Sequence, residues 1–142
     1  MRDSVAVELH KLDHLFLRSM LKSKVLRESN RLTGMHGYVI GFLSEAEGDV
    51  FQKDVERAFD IRRSTATKIL NLMEENGMLI KVPVAHDARL KKLVVTDDAK
   101  KLYAEMKKEF AAIEAAMCRN ISAEQIDTIL SCVRTMQENL KQ

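Results

Sequence analysis

A chain of 142 residues, 46% hydrophobic and 31% charged with one proline and five glycines, can bury a core without disulfide or metal staples and is too apolar to stay disordered. Arg2, Asp3, Glu8, Lys11 and Asp13 crowd the first residues, so no export core is expected there, and no apolar run reaches the roughly 18 residues of a membrane span. Net charge is only +2, yet Ile61 to Lys92 holds seven basic residues against three acidic ones, so the positive charge is concentrated in one segment. Cys118 and Cys132 form no CxxC pair, and the expectation is a reducing, cytoplasmic setting with no membrane partner.

Residues 3 to about 27 read as a long helix, with Val5, Leu9, Leu12, Phe16 and Met20 at three- and four-residue spacing and Leu15, Leu17 and Leu21 widening the stripe. Thr33 precedes a second helix carrying Met35, Val39, Phe42 and Leu43, with Gly48 as its expected cap. Val50 to Phe59 is a short helix with Val55, Ala58 and Phe59 inward, followed by a tight turn at Asp60. From Ile61 to about Asn76 a fourth helix has Ala66, Ile69, Leu70, Leu72 and Met73 as its core stripe, closed by Asn76-Gly77, both tolerant of a left-handed backbone.

The period then changes to β-branched runs, Leu79–Val82 and Lys92–Val95, read as two strands. Pro83 to Lys91 between them is expected to form a projecting loop, too long for a tight turn. Thr96 suits the cap of a helix through about Met117, with Leu102, Met106, Phe110, Ile113 and Met117 on one face. Ser122 and Gln125 have the spacing of a capping box for a last helix lined by Ile126, Ile129, Leu130, Val133, Met136 and Leu140. The class is mostly α with a small β-hairpin wing: a winged helix-turn-helix flanked by terminal helices.

The chemistry lies in the basic segment. A second helix that protrudes from a tight turn can enter a major groove, and its start here offers Arg62, Arg63, Ser64, Thr65, Thr67 and Lys68. Guanidinium and hydroxyl groups read base edges and bind phosphate, and short side chains allow close backbone approach. In the following hairpin, Arg89, Lys91 and Lys92 can reach a minor groove or the phosphates beside it, with Asp87 bracing the loop or the arginine.

Asp87-Ala88-Arg89, followed by Leu90 to Thr96, resembles the wing of the multiple-antibiotic-resistance regulator (MarR) family, and the flanking helices are similar to that family's layout over nearly the whole chain. The resemblance implies a single domain over 1–142, a DNA-binding region over 34–96 and dimerisation helices over 3–27 and 97–141. It also implies a ligand-responsive homodimeric repressor that reads a pseudo-palindrome in double-stranded DNA and is not an enzyme. Ser64, Thr65, Thr67 and Lys68 match the family's contact face, Arg89 its wing-tip arginine and Asp87 the acidic partner. Phe51 and Arg62 stand where capping hydroxyls are common, and Ala99 replaces a frequent glycine.

A small aromatic or phenolic effector, implied by the same resemblance, would meet Met35, Tyr38, Phe42 and Tyr103 between the second and fifth helices; the same residues also read as core. His10 and His14 share a helix face, but spacing supplies no third ligand, so no metal and no cofactor is expected. Nor does spacing supply a nucleophile–base pair, a phosphate loop or a carboxylate dyad. A winged-helix protein-interaction module that binds no DNA is the competing reading.

Overall fold

The computed structural model describes residues 4–25 and 34–141. Its elements run α1 (Val5–Leu21), α2 (Gly34–Glu45), α3 (Gln52–Phe59), α4 (Arg63–Glu75), β1 (Leu79–Val84), β2 (Asp87–Val95), α5 (Asp97–Met117) and α6 (Ala123–Leu140). The fold class is the one the sequence implies, a set of helices with one two-stranded antiparallel hairpin.

The first helix is shorter than its hydrophobic stripe. After Leu21 the amides of Lys22 and Ser23 donate back three residues, to Ser19 (3.3 Å) and Met20 (3.0 Å), and this tightened turn ends α1 with Ser23 buried. Lys24 and Val25 are helical again, so the continuous helix expected over 3–27 is interrupted; residues 3, 26 and 27, like the expected Thr33 cap, lie outside the described residues.

Two glycines bring α2 against α5. A Cβ on Gly41 would lie 2.6 Å from Tyr103 Oη, and one on Gly37 2.8 Å from Met106 Cε. The helix stops at Glu45, before Gly48, whose φ of +97° turns the connecting loop instead of capping the helix.

The helix-turn-helix follows. Val55 is fully buried and Phe59 meets Phe42 edge-on at 5.7 Å, whereas Ala58, expected inward, is exposed, because the short α3 rests on the Val55–Phe59 line alone. Asp60 takes the left-handed conformation (φ 50°, ψ 46°) and lets the Ile61 amide reach Glu56 O at 3.1 Å, which makes the expected tight turn. In α4 the buried line is Ala66, Leu70 and Met73; Leu72 falls beside it and is exposed, contrary to expectation. Of the Asn76-Gly77 pair that follows α4, Gly77 is left-handed (φ +70°) and Asn76 is not (φ −86°).

The hairpin is longer and its turn tighter than the sequence suggests. Val84 pairs with Asp87, so Ala85-His86 alone make the turn, and the nine-residue loop expected over Pro83–Lys91 is largely strand. Pro83 pairs with Lys91, which leaves Ala88, Arg89 and Leu90 on β2 without cross-strand partners. Proline has no N–H to give to the ladder, and the pairing breaks beside it. The excess residues keep the wing projecting, as expected, with Ala85 to Lys91 all exposed.

One core serves the middle of the chain. Val39 and Ile40 of α2, Val55 of α3, Leu70 and Met73 of α4, Leu79, Leu93 and Val95 of the hairpin, and Met106 of α5 form a single buried cluster. Leu93 N donates to Val50 O (2.8 Å), which ties β2 to the segment before α3. At the hairpin base Thr96 caps α5: its hydroxyl donates to Gly77 O (2.8 Å) and accepts from Ala99 N (3.3 Å). Ser122 and Gln125 form the expected capping box of α6, at 2.9 and 3.2 Å. No α6 residue is buried.

Candidate nucleic-acid interface

Helix α4 starts at Arg63, with Arg62 as an N-cap whose side chain makes no cap hydrogen bond. Arg62, Arg63, Ser64, Thr65 and Lys68 are exposed on the first turns. The start of α3 is secured in an unusual way: Phe51 has no capping oxygen, and the Asp54 carboxylate three residues on accepts from the Phe51 amide at 2.8 Å. The missing Phe51 hydroxyl is replaced by the other half of the box.

Between α4 and the wing lies a cleft of about 340 Å³ whose lining includes Lys53, Arg63, Lys81, Arg89 and Lys91 against the single acid Glu56. Positive charge from four elements therefore faces one groove. Asp87 braces the wing through the backbone: its carboxylate accepts from Arg89 N at 2.8 Å and so supplies the acceptor that the broken ladder does not. The Arg89 side chain is exposed. Lys92, by contrast, is paired with Asp49 at 3.1 Å. Lys81 is also paired, with Glu74 at 3.3 Å and with Asn71 Oδ1.

Thr67 is placed differently from its neighbours. Its hydroxyl donates to Arg63 O (2.8 Å) and accepts from Gln52 Nε2 (2.9 Å), and the residue is half-buried. Gln52 carries a role that sequence reading missed, since its partner is 15 residues away and no local pattern marks the pair.

A second cavity, about 590 Å³, opens between α2 and α5 and is lined by Tyr38, Phe42, Tyr103, Phe110, Lys107 and Glu45, among others. Tyr38 stacks on Phe110 with ring centres 5.9 Å apart. Burial raises the Tyr38 phenol above its ordinary range, helped by the carboxylates of Glu114 and Asp13. Lys107 and Glu45 pair across the mouth at 3.4 Å. Of the four expected pocket residues, Tyr38, Phe42 and Tyr103 meet here, while Met35 packs against the core.

The sequence model of the MarR family matches residues 32–90, from the start of α2 into the wing. The segment that matches folds as a winged helix. Among solved structures, the chain is similar to MepR of S. aureus in a complex with DNA, at 18% identity over 96% of this chain and 98% of that one, with a TM-score of 0.83. It is similar to the PcaV regulator of Streptomyces coelicolor with its natural ligand, at 20% identity over 94% and 89%, TM-score 0.79. The transcription regulator MarR of Oenococcus oeni PSU-1 is 24% identical over 94% and 96%, TM-score 0.72. At these identities the likeness is one of fold, and it extends beyond the matched segment to the terminal helices.

His10 and His14 lie outside both cavities. Their Nε2 atoms are 3.1 Å apart on the exposed face of α1. Among the described residues, no group of three or more His, Cys, Asp or Glu side chains is arranged to hold a metal ion. No described helix is long and apolar enough to cross a membrane. Cys132 is exposed and Cys118 half-buried, both unpaired with one another.

Proposed function

We propose that this protein is a sequence-specific DNA-binding transcriptional regulator that acts as a homodimeric, ligand-responsive repressor. The observation that carries the reading is the cationic cleft between α4 and the wing, where Arg63, Arg89 and Lys91 stand with Lys53 and Lys81. In this reading the start of α4 enters a major groove and reads bases through Arg62, Arg63, Ser64, Thr65 and Lys68. The wing reaches the adjacent minor groove through Arg89, held by Asp87, with Lys91 and Lys92 near phosphates.

Dimerisation is supported by what the single chain leaves uncovered. On α1, Leu15 is 57% and Leu21 68% exposed; on α6, Ile129, Leu130 and Leu140 are exposed, the last by 86%. Monomers rarely leave such faces bare, and a second copy covers them while setting two heads about one DNA turn, roughly 34 Å, apart. The effector site is the cavity between α2 and α5, whose volume suits a small aromatic molecule stacked among Tyr38, Phe42 and Tyr103. MepR was captured with DNA and PcaV with its natural ligand, which supports both halves of the reading. A ligand that binds one head spacing better than the other would shift the population and release DNA.

The test is duplex affinity at low salt, after selecting a binding site from random sequence. The parent is expected to select a pseudo-palindrome, and Arg89→Ala to bind about tenfold more weakly with unchanged folding. A parent with negligible affinity for any duplex at low salt would instead make the chain a protein-interaction module.

A further inference from the structure

We propose that Gln52 is the positioning residue of the reading head, and that Thr67 is its partner in a clamp and not a reader of bases. This rests on the DNA-binding reading above and takes Thr67 off the contact face on which the sequence places it.

The side-chain amide of Gln52, the first residue of α3, has two N–H bonds and faces three acceptors: Thr67 Oγ1 at 2.9 Å, Glu56 Oε1 at 3.0 Å and Arg63 O at 3.4 Å. Two protons satisfy the two short contacts, and the third is secondary. The orientation of the amide is fixed by chemistry. An ionised carboxylate and a carbonyl both only accept, so the NH₂ end must point at them. Thr67 in turn sends its single proton to Arg63 O at 2.8 Å, one helical turn back. Its hydroxyl has no proton left to give to a base.

The network joins the first turns of both helices of the motif. Glu56 and Gln52 lie on α3, Arg63 and Thr67 on α4, and the only covalent link between the helices is the turn at Asp60. Val55 and Phe59 fix how far apart the helices sit, but apolar contacts are non-directional. The hydrogen bonds are directional, and they set the rotation of α4 about its own axis. That rotation decides which of Arg63, Ser64, Thr65 and Lys68 meets which base pair. A residue of this kind leaves the readers intact and acts through their aim.

The experiment compares Gln52→Ala, Thr67→Val, Thr67→Ser and the double variant Gln52→Ala/Thr67→Val, by duplex affinity on the operator selected by the parent. Val keeps the methyl group and the shape of Thr67 but loses both hydrogen bonds; Ser keeps the hydroxyl and loses the methyl. The clamp predicts that Gln52→Ala and Thr67→Val each weaken operator binding by about tenfold, that the double variant is no worse than either, and that Thr67→Ser recovers most of the loss. The dependence of affinity on salt stays parental, because no phosphate contact is removed. Losses that add in the double variant overturn the clamp. So does affinity retained in Val and lost in Ser, which is the signature of a methyl group packed on a base. So does loss in Thr67→Val with none in Gln52→Ala. Where Gln52→Ala does not fold, Gln52→Met, which keeps the length of the side chain and loses the amide, takes its place. A parent that binds no duplex overturns both this inference and the reading beneath it, whereas a binding parent with the wrong variant pattern overturns the clamp only.

Discussion

The reading head and the terminal helices solve the burial problem in opposite ways. Around the reading head the chain completes one core, to which α2 adds Val39 and Ile40 and α5 adds Met106: Val55, Leu70, Met73 and Leu79 are fully buried, and the hairpin is tied to Val50 and Gly77 by backbone and side-chain hydrogen bonds. Helix α6 has an equally regular apolar stripe and a sound capping box, yet nothing on it is buried. The contrast teaches that periodicity and caps make a helix without saying what it packs against. The head covers its apolar side chains within the chain, whereas α6 leaves its stripe uncovered there.

The comparison is broken most severely from inside the head. Leu70→Ala removes the middle of the buried α4 line and should cost about 2–5 kcal/mol of stability in urea unfolding; a cost comparable to that of an exposed α6 leucine would mean that the head is not the stable unit. Next, Leu130→Lys puts a charge on the bare α6 stripe and should weaken self-association by on the order of a hundredfold in sedimentation, with the melting of the head unchanged. Unaltered association would show that α6 is not where copies meet.

Two smaller effects sharpen the comparison within the basic segment and beside it. Lys91→Gln should reduce the salt slope of duplex binding by about one per protomer, and Lys92→Gln by less, because Asp49 already neutralises Lys92. Equal slopes would show that the Asp49 pair dissolves on DNA. Last, Tyr38 is held in its protonated form by burial and by Glu114 and Asp13. The folded chain thus keeps this proton to higher pH than the unfolded chain. The stability it contributes is intact below the ordinary tyrosine pKa and lost as pH rises through the folded one. Ultraviolet titration should show a late-ionising phenol that Tyr38→Phe removes.

Much of this was legible in the residues. Thr96, Ser122 and Gln125 named their caps correctly because a cap is a local, short-range device. The basic run located the candidate interface because charge needs no fold to be counted. What failed were features set by pairing at a distance. The ends of the hairpin depend on Pro83 breaking the ladder opposite Lys91, and a polar, basic composition there looked like loop. Periodicity alone points Ala58 and Leu72 inward, while neighbouring elements decide how wide a stripe is covered. Gln52 was invisible because its meaning is supplied by Thr67 on another helix.

The junction at Thr96 has a mechanical consequence. One residue both closes the hairpin, through Gly77 and Met78, and begins α5, through Ala99. Such a joint behaves as a welded elbow: the head and the first turns of α5 tilt as one piece. A helix of 21 residues is a lever arm of about 30 Å, so a displacement at its far end, near Met117, is carried to the wing as a tilt. In the dimer proposed above, control over the distance between two heads could therefore be exercised from the end of α5 farthest from the wing.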